Sequence, residues 1–341
     1  MNLSPTRVFR AFGVRRLVAM FVLLFTTFAL VLFVQLRPDY LHPTEVGTDV
    51  STYLAAGQRL VAGHDIYSLR PGDRPVPIWP EFWTVPLVGP PTIAVLWAPL
   101  AILPPLLAIW AWWLATFAAT AAVFVWTVVR GHLLVVVAAG LLSFSTIITG
   151  VSGNVNGLLI GALAAVWLLS QGPRSTGRDV AIGVLVAIAT SVKIGPALFG
   201  LWLLALGRWR AAAAAAAAGA VIALLTLVAA GPEIVPTYLR LAADTATRGV
   251  TPLSAGGMLQ SLGLPQAIVV AAPVAVALIT AAIAVAVRRH PRAAFSVIAI
   301  GATFAVPVVR FESLSVLLLA LIPWTHPWRA GPPSAPPQAG E

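Results

Sequence analysis

The chain has 341 residues, 59% of them hydrophobic and only 9% charged, with a net charge of +10 and no cysteine. Soluble domains carry about a quarter charged residues, so this composition excludes an ordinary soluble enzyme. The missing cysteines exclude disulfides, thiolate nucleophiles and zinc–thiolate centres.

The positive excess sits in short clusters at the ends of apolar stretches, where it sets membrane orientation. A continuous basic stripe suited to a phosphate backbone is absent, which argues against nucleic acid as a partner. None of the five histidines falls in His-x-x-His or His-Glu-x-x-His spacing, so neither a metal nor a cofactor is expected.

The first segment, residues 1–16, is basic (Arg7, Arg10, Arg15, Arg16) and runs into an apolar stretch over 17–36. That stretch is longer than the roughly 7–15 residues of a signal peptide and lacks a small-residue cleavage site, so it reads as an uncleaved span. Further apolar segments cover 105–129, 133–151, 155–170, 179–192, 194–207, 211–230, 266–287, 293–309 and 313–325. The expectation is therefore an all-α polytopic membrane protein of about ten transmembrane helices, forming a single domain over 17–329. A disordered cytoplasmic tail over 330–341 follows.

With the N-terminus inside, the inner segments hold thirteen basic residues against only Asp179 and Glu341. The positive-inside rule then places both termini in the cytoplasm and the loops 37–90 and 231–265 outside the plasma membrane. Six of the eleven acidic residues lie in the first outer loop.

Within that loop, Thr48 is placed to N-cap a helix over about 49–62 whose apolar positions are Val50, Tyr53, Leu54, Leu60 and Val61. Asp49 falls in its first turn, where the helix dipole favours an ionised carboxylate, and Tyr53 lies one turn on, on the same face. Thr92–Leu103 reads as a short interfacial helix. Trp79, Phe82, Trp83 and Trp97 read as headgroup-level anchors.

Lys193, the only lysine against twenty arginines, stands only 15 residues from Arg178 and 15 from Arg208. A helix of that length covers about 22 Å, short of the roughly 30 Å hydrocarbon core. The turn at Lys193 should therefore lie several Å below the headgroups, where an ammonium needs an anion or a water-filled cavity. A lipid phosphate is one partner; snorkelling to the surface is the other explanation.

Several motifs, taken together and in order, resemble glycosyltransferase family 87, membrane enzymes of the GT-C class that use polyprenyl-phosphate sugars. Asp49 with Tyr53 is similar to that family's Asp-x-x-x-Tyr after the first span. Gly63-His64-Asp65-Ile66-Tyr67 resembles its Gly-x-Asp-x-Tyr. Pro90-Pro91 with Ala98-Pro99-Leu100 and Leu103-Pro104 resembles its proline-rich juxtamembrane segment. Gly153-Asn154-Val155-Asn156 resembles its Gly-Gln-x-Asn turn with Asn154 in place of Gln. Lys193 with Pro196 and Arg208-Trp209-Arg210 resembles its lysine hairpin, and Gln260-Ser261-Leu262 resembles part of its Asn-Gln-Ser-Leu. The chain departs from the family near its last outer turn, where Arg310 and Glu312 stand in place of a histidine motif.

The resemblance implies a GT-C-like bundle with outer loop helices. It also implies a membrane hexosyltransferase moving a sugar, typically mannose, from a polyprenyl-phosphate donor to an envelope glycolipid or glycan acceptor at the outer face, with membrane lipid around it. It further implies that Asp49 is the catalytic base and that the reaction inverts the anomeric centre. Lys193 and Arg310 are candidates to hold the donor phosphate, although Arg310 has a salt bridge with Glu312 as a rival. Tyr53, Asp65, Tyr67, Asn154, Asn156, Gln260 and Glu312 are candidates for substrate contact. Asp65 and Tyr67 can instead shape the loop. Asn154 and Asn156 can instead satisfy backbone at their turn, and the sequence leaves both readings open.

A transporter or lipid flippase is the contrasting class, and a non-catalytic family member a third. Transport sites carry inverted repeats and ionisable residues at mid-membrane. Here nearly all ionisable residues fall at span ends, which favours the enzyme.

Overall fold

A computed structural model describes residues 48–68, 87–248 and 250–325. The predicted span 17–36, the anchors Trp79, Phe82 and Trp83, and the tail 330–341 lie outside the described residues. Among the described residues every regular element is helical and there is no strand. This is what a chain in lipid requires, since a helix satisfies its backbone polar groups internally.

The helices run in order: α1 (Thr48–Val61), α2 (Thr92–Ala101), α3 (Pro105–Arg130), α4 (Leu133–Leu141), α5 (Ser143–Ser152), α6 (Asn156–Ser170) and α7 (Thr176–Val192). They continue as α8 (Leu198–Ala205), α9 (Trp209–Ala230), α10 (Ile234–Arg248), α11 (Ala255–Ser261), α12 (Gln266–Ala286), α13 (Pro291–Phe304) and α14 (Leu318–Leu321). Short 3-10 turns occupy Gly195–Ala197, Phe311–Leu317 and Ile322–Trp324.

Among the described residues, three helices are long and apolar enough to cross a membrane alone, namely α3, α9 and α12. The pair α4 and α5 forms a fourth if counted as one span bent by 50° at Leu142. The expected count of about ten is not reached on that criterion. Among the described residues, the predicted spans 194–207, 293–309 and 313–325 fall on shorter pieces, and Pro196 and Pro307 lie at interruptions where 3-10 or irregular turns replace the α-helix.

The tightest helix pairing joins α7 to α9, and small residues make it possible. A Cβ on Gly183 would sit 2.5 Å from the Ala211 carbonyl and 2.7 Å from the Ala214 Cβ. The alanine run 211–218 thus lets two backbones approach closely, the usual device for packing helices where lipid offers no hydrophobic drive. The later half of α9 exposes Val221, Leu224, Leu225 and Val228, suited to hydrocarbon.

Two aromatic clusters anchor the core. Phe199, Trp202, Phe295 and Trp167 interlock with ring centroids 5.0–6.5 Å apart. Tyr53, Trp97 and Trp112 form the second, with centroids 4.9–6.4 Å apart. Trp97 is fully buried there, so it is not a headgroup anchor. The reason is local: α2 packs on α1 so closely that a Cβ on Gly57 would meet the Trp97 Cβ at 2.9 Å. Helix α1 is correspondingly buried over 50–57, and only its end, with Val61, is exposed.

Candidate active site

The turns predicted to lie outside converge at one end of the helices. Gly153, between α5 and α6, adopts φ +65°, and a Cβ there would come within 2.0 Å of the Val50 Cγ2 on α1. Only glycine fits both the left-handed backbone and that approach. Trp112 donates its indole N–H to the Gly153 carbonyl at 2.8 Å, holding the turn against α3. The turn is thereby pinned beneath the first turn of α1, where Asp49 sits.

Four side chains named from the sequence form one hydrogen-bonded chain across this turn. The Asn154 amide donates to Asp49 Oδ2 at 2.8 Å. The Asn156 backbone N–H donates to Asn154 Oδ1 at 2.9 Å. The Lys193 ammonium donates to Asn156 Oδ1 at 2.9 Å. Asn156 is fully buried, and its amide also donates to the Glu312 carbonyl at 3.1 Å. The Thr149 hydroxyl lies within hydrogen-bond distance of that carbonyl, at 2.9 Å, and of the Ser315 hydroxyl, at 2.8 Å. The 3-10 turn carrying Arg310 and Glu312 is thus tied to the same wall.

The charges of the cluster act on one another. Asp49 feels Lys193 and Arg310, and Glu312 feels Asp49, Lys193 and Arg310. Burial nevertheless dominates: it raises the Asp49 carboxyl above the usual range, against the donors Asn154 and Ser152 and the two cations, which lower it. The first-turn placement of Asp49 is as expected, but desolvation outweighs the pull toward an ionised carboxylate. Glu312 is raised as well, first by burial and then by the neighbouring Asp49.

Other candidates lie elsewhere. Among the described residues the salt bridge is Arg208–Asp179, so the Arg310–Glu312 contact pair does not form. The Asp65 carboxylate accepts from the Tyr67 N–H at 3.1 Å and from the Ser68 hydroxyl, closing a turn. Tyr67 donates to the Gly89 carbonyl at 3.2 Å and stacks on Tyr238 of α10 at 6.5 Å. Asp65 thus shapes its own turn, and Tyr67 ties the two loops predicted to lie outside together. Gln260 is exposed on α11 and is not part of the hydrogen-bonded chain.

Sequence reasoning missed Ser152 and Thr149. A periodic row of hydroxyls at Ser145, Thr149 and Ser152 on one face of an otherwise apolar segment was the available signal.

The helices and the site define a membrane protein that gathers two carboxylates, Asp49 and Glu312, and two cations, Lys193 and Arg310, at one end of its bundle. A family model, glycosyltransferase family 87, matches residues 88–310. The chain belongs to glycosyltransferase family 87, the family its motifs resemble, and is a membrane glycosyltransferase. The match takes in Asn154, Asn156, Lys193 and Arg310, whereas Asp49, Tyr53, Asp65, Tyr67 and Glu312 lie outside it. No curated protein and no solved structure matches the chain.

Proposed function

We propose that the chain transfers a hexose from a polyprenyl-phosphate donor to a glycolipid or glycan acceptor at the outer face of the plasma membrane. Asp49 is the base, and Lys193 with Arg310 binds the donor phosphate. In this reaction the acceptor oxygen attacks the anomeric carbon while its proton passes to Asp49. The bond from that carbon to the phosphate oxygen breaks, and its electron pair leaves with the lipid phosphate. Positive charge must meet the phosphate as it departs, and a carboxylate must stand ready on the acceptor side.

The observation that carries this reading is the single polar chain from Asp49 to Lys193. Asp49 Oδ2 takes the Asn154 amide, leaving capacity on the carboxyl for an acceptor hydroxyl. Lys193 uses one N–H on Asn156, leaving two for phosphate oxygens. Mannose as the sugar follows the family's habit alone.

The test is labelled-sugar transfer from a polyprenyl-phosphate donor in detergent. Asp49→Ala is expected to lose on the order of a hundredfold or more in kcat. Lys193→Ala is expected to raise the donor KM more than the acceptor KM. Full turnover by Asp49→Ala would remove Asp49 as the base, and an unchanged donor KM would remove Lys193 from the phosphate site.

A further inference from the structure

Asn154 and Asn156 carry polar side chains into the site, but those groups are already engaged within the protein. Asn154 is 7% exposed and Asn156 0%. Each uses its amide oxygen and its amide nitrogen: Asn154 between the Asn156 N–H and Asp49, Asn156 between Lys193 and the Glu312 carbonyl. These bonds fix the direction of both amides, because the oxygen of each must face a donor and the nitrogen an acceptor. They also link residues that are 105 and 37 positions apart, so the register between base and cation is set by this turn.

We propose that Asn154 and Asn156 are positioning residues: Asn154 aims the Asp49 carboxyl, Asn156 aims the Lys193 ammonium, and neither binds the sugar. The inference rests on the reading of Asp49 as base and Lys193 as phosphate ligand. The two asparagines act on different steps, because of the two reacting groups Asn154 touches the base and Asn156 the cation. Asn154 controls the chemical step, and Asn156 controls donor binding. The rigid Gly153 turn makes the pair one unit, since the Asn156 backbone N–H holds the Asn154 oxygen.

Isosteric variants test this without emptying the turn. Asn154→Asp keeps the oxygen that accepts the Asn156 N–H but replaces the donor to Asp49 with a second carboxyl. The other charged or titratable groups facing Asp49 are Lys193, Arg310, Glu312 and Tyr53, and the variant leaves all four in place. The expected result is a kcat lowered by about tenfold to a hundredfold. The acid limb of the kcat–pH profile should move to higher pH, and the donor KM should stay within about twofold of the parent.

Asn156→Asp keeps the acceptor for Lys193 but adds a charge that competes with the phosphate. The donor KM is expected to rise about tenfold or more, with the acid limb of kcat moving less than in Asn154→Asp. A melting curve in detergent confirms that each variant is folded. Equal increases in donor KM from both variants, with the acid limb unmoved, would make the asparagines sugar contacts and overturn the proposal. An unmoved limb in Asn154→Asp, with Asp49→Ala inactive, overturns the positioning role alone. An active Asp49→Ala instead overturns the assignment of the base.

Discussion

At the residue scale, Asp49 shows how two local influences compete. The helix dipole at a first turn favours a charged carboxylate by about 0.3–1 kcal/mol at exposed sites. Burial opposes it and wins here, so the Asp49 carboxyl is raised. A base must be ionised, and a raised group ionises only at higher pH. The acid limb of kcat against pH is therefore expected above the ordinary carboxylate range, with activity falling as pH falls through it. The neighbouring Ser152 hydroxyl acts to lower the group. Ser152→Ala should shift the limb further upward while leaving turnover at high pH close to the parent. The check is kcat measured at saturating donor across the pH range; a limb that stays or moves down in Ser152→Ala would contradict the role of Ser152, and a parent limb within the ordinary carboxylate range would contradict the role of burial. Asp49, Lys193, Asn154 and Asn156 were legible in the sequence as residue types at predicted outer turns. Their hydrogen bonds were not, because pairs separated by 105 or 37 positions leave no periodic trace.

At the element scale, helix existence was legible and helix contacts were not. Apolar runs placed α3, α9 and α12 within a few residues, since hydrocarbon-compatible length is a property of composition. The role of Trp97 was not legible, because an interfacial tryptophan and a buried one look alike until a partner such as Gly57 is known. The same holds for the predicted inner ends of α6, α7 and α9. Arg208 donates to Asp179 at 2.7 Å and to the Ser170 carbonyl at 2.7 Å, joining the end of α6, the first turn of α7 and the start of α9. Both partners of the ion pair are buried, at 6% and 8% exposure. Removing one partner leaves the other charge unpaired in a dry site. Asp179→Ala is therefore expected to cost about 3–5 kcal/mol, read as a lower melting temperature in detergent. The double variant Asp179→Ala/Arg208→Met should recover part of that loss, because it removes the stranded charge. Equal stability of the single and double variants would mean that the pair is not the source of the effect. The site lies at the other end of α6 and α7, so donor KM in the folded variants should change little.

At the scale of the whole molecule, the alternation of turns organises the function. The predicted outer turns at 152–154, 193 and 310–312 meet in one hydrogen-bonded cluster. The outer loops are joined by the stacked Tyr67 and Tyr238. The predicted inner turns meet in another set of contacts, where Arg174 donates to the Leu206 carbonyl at 3.0 Å and Arg208 holds Asp179. Two separated ends with different charge are what the basic bias of the inner segments implies. The absence of cysteine makes the orientation directly measurable, because any introduced thiol is the only one. His64, Gln260 and Arg289 are all exposed, the first two in the outer loops and the third in the basic turn after α12. In intact cells, a membrane-impermeant maleimide is expected to label His64→Cys and Gln260→Cys but not Arg289→Cys. After permeabilisation all three should react. Labelling of Arg289→Cys in intact cells, with His64→Cys protected, would place the Asp49 end of the bundle in the cytoplasm. A lipid-linked donor presented at the outer leaflet would then never meet the base.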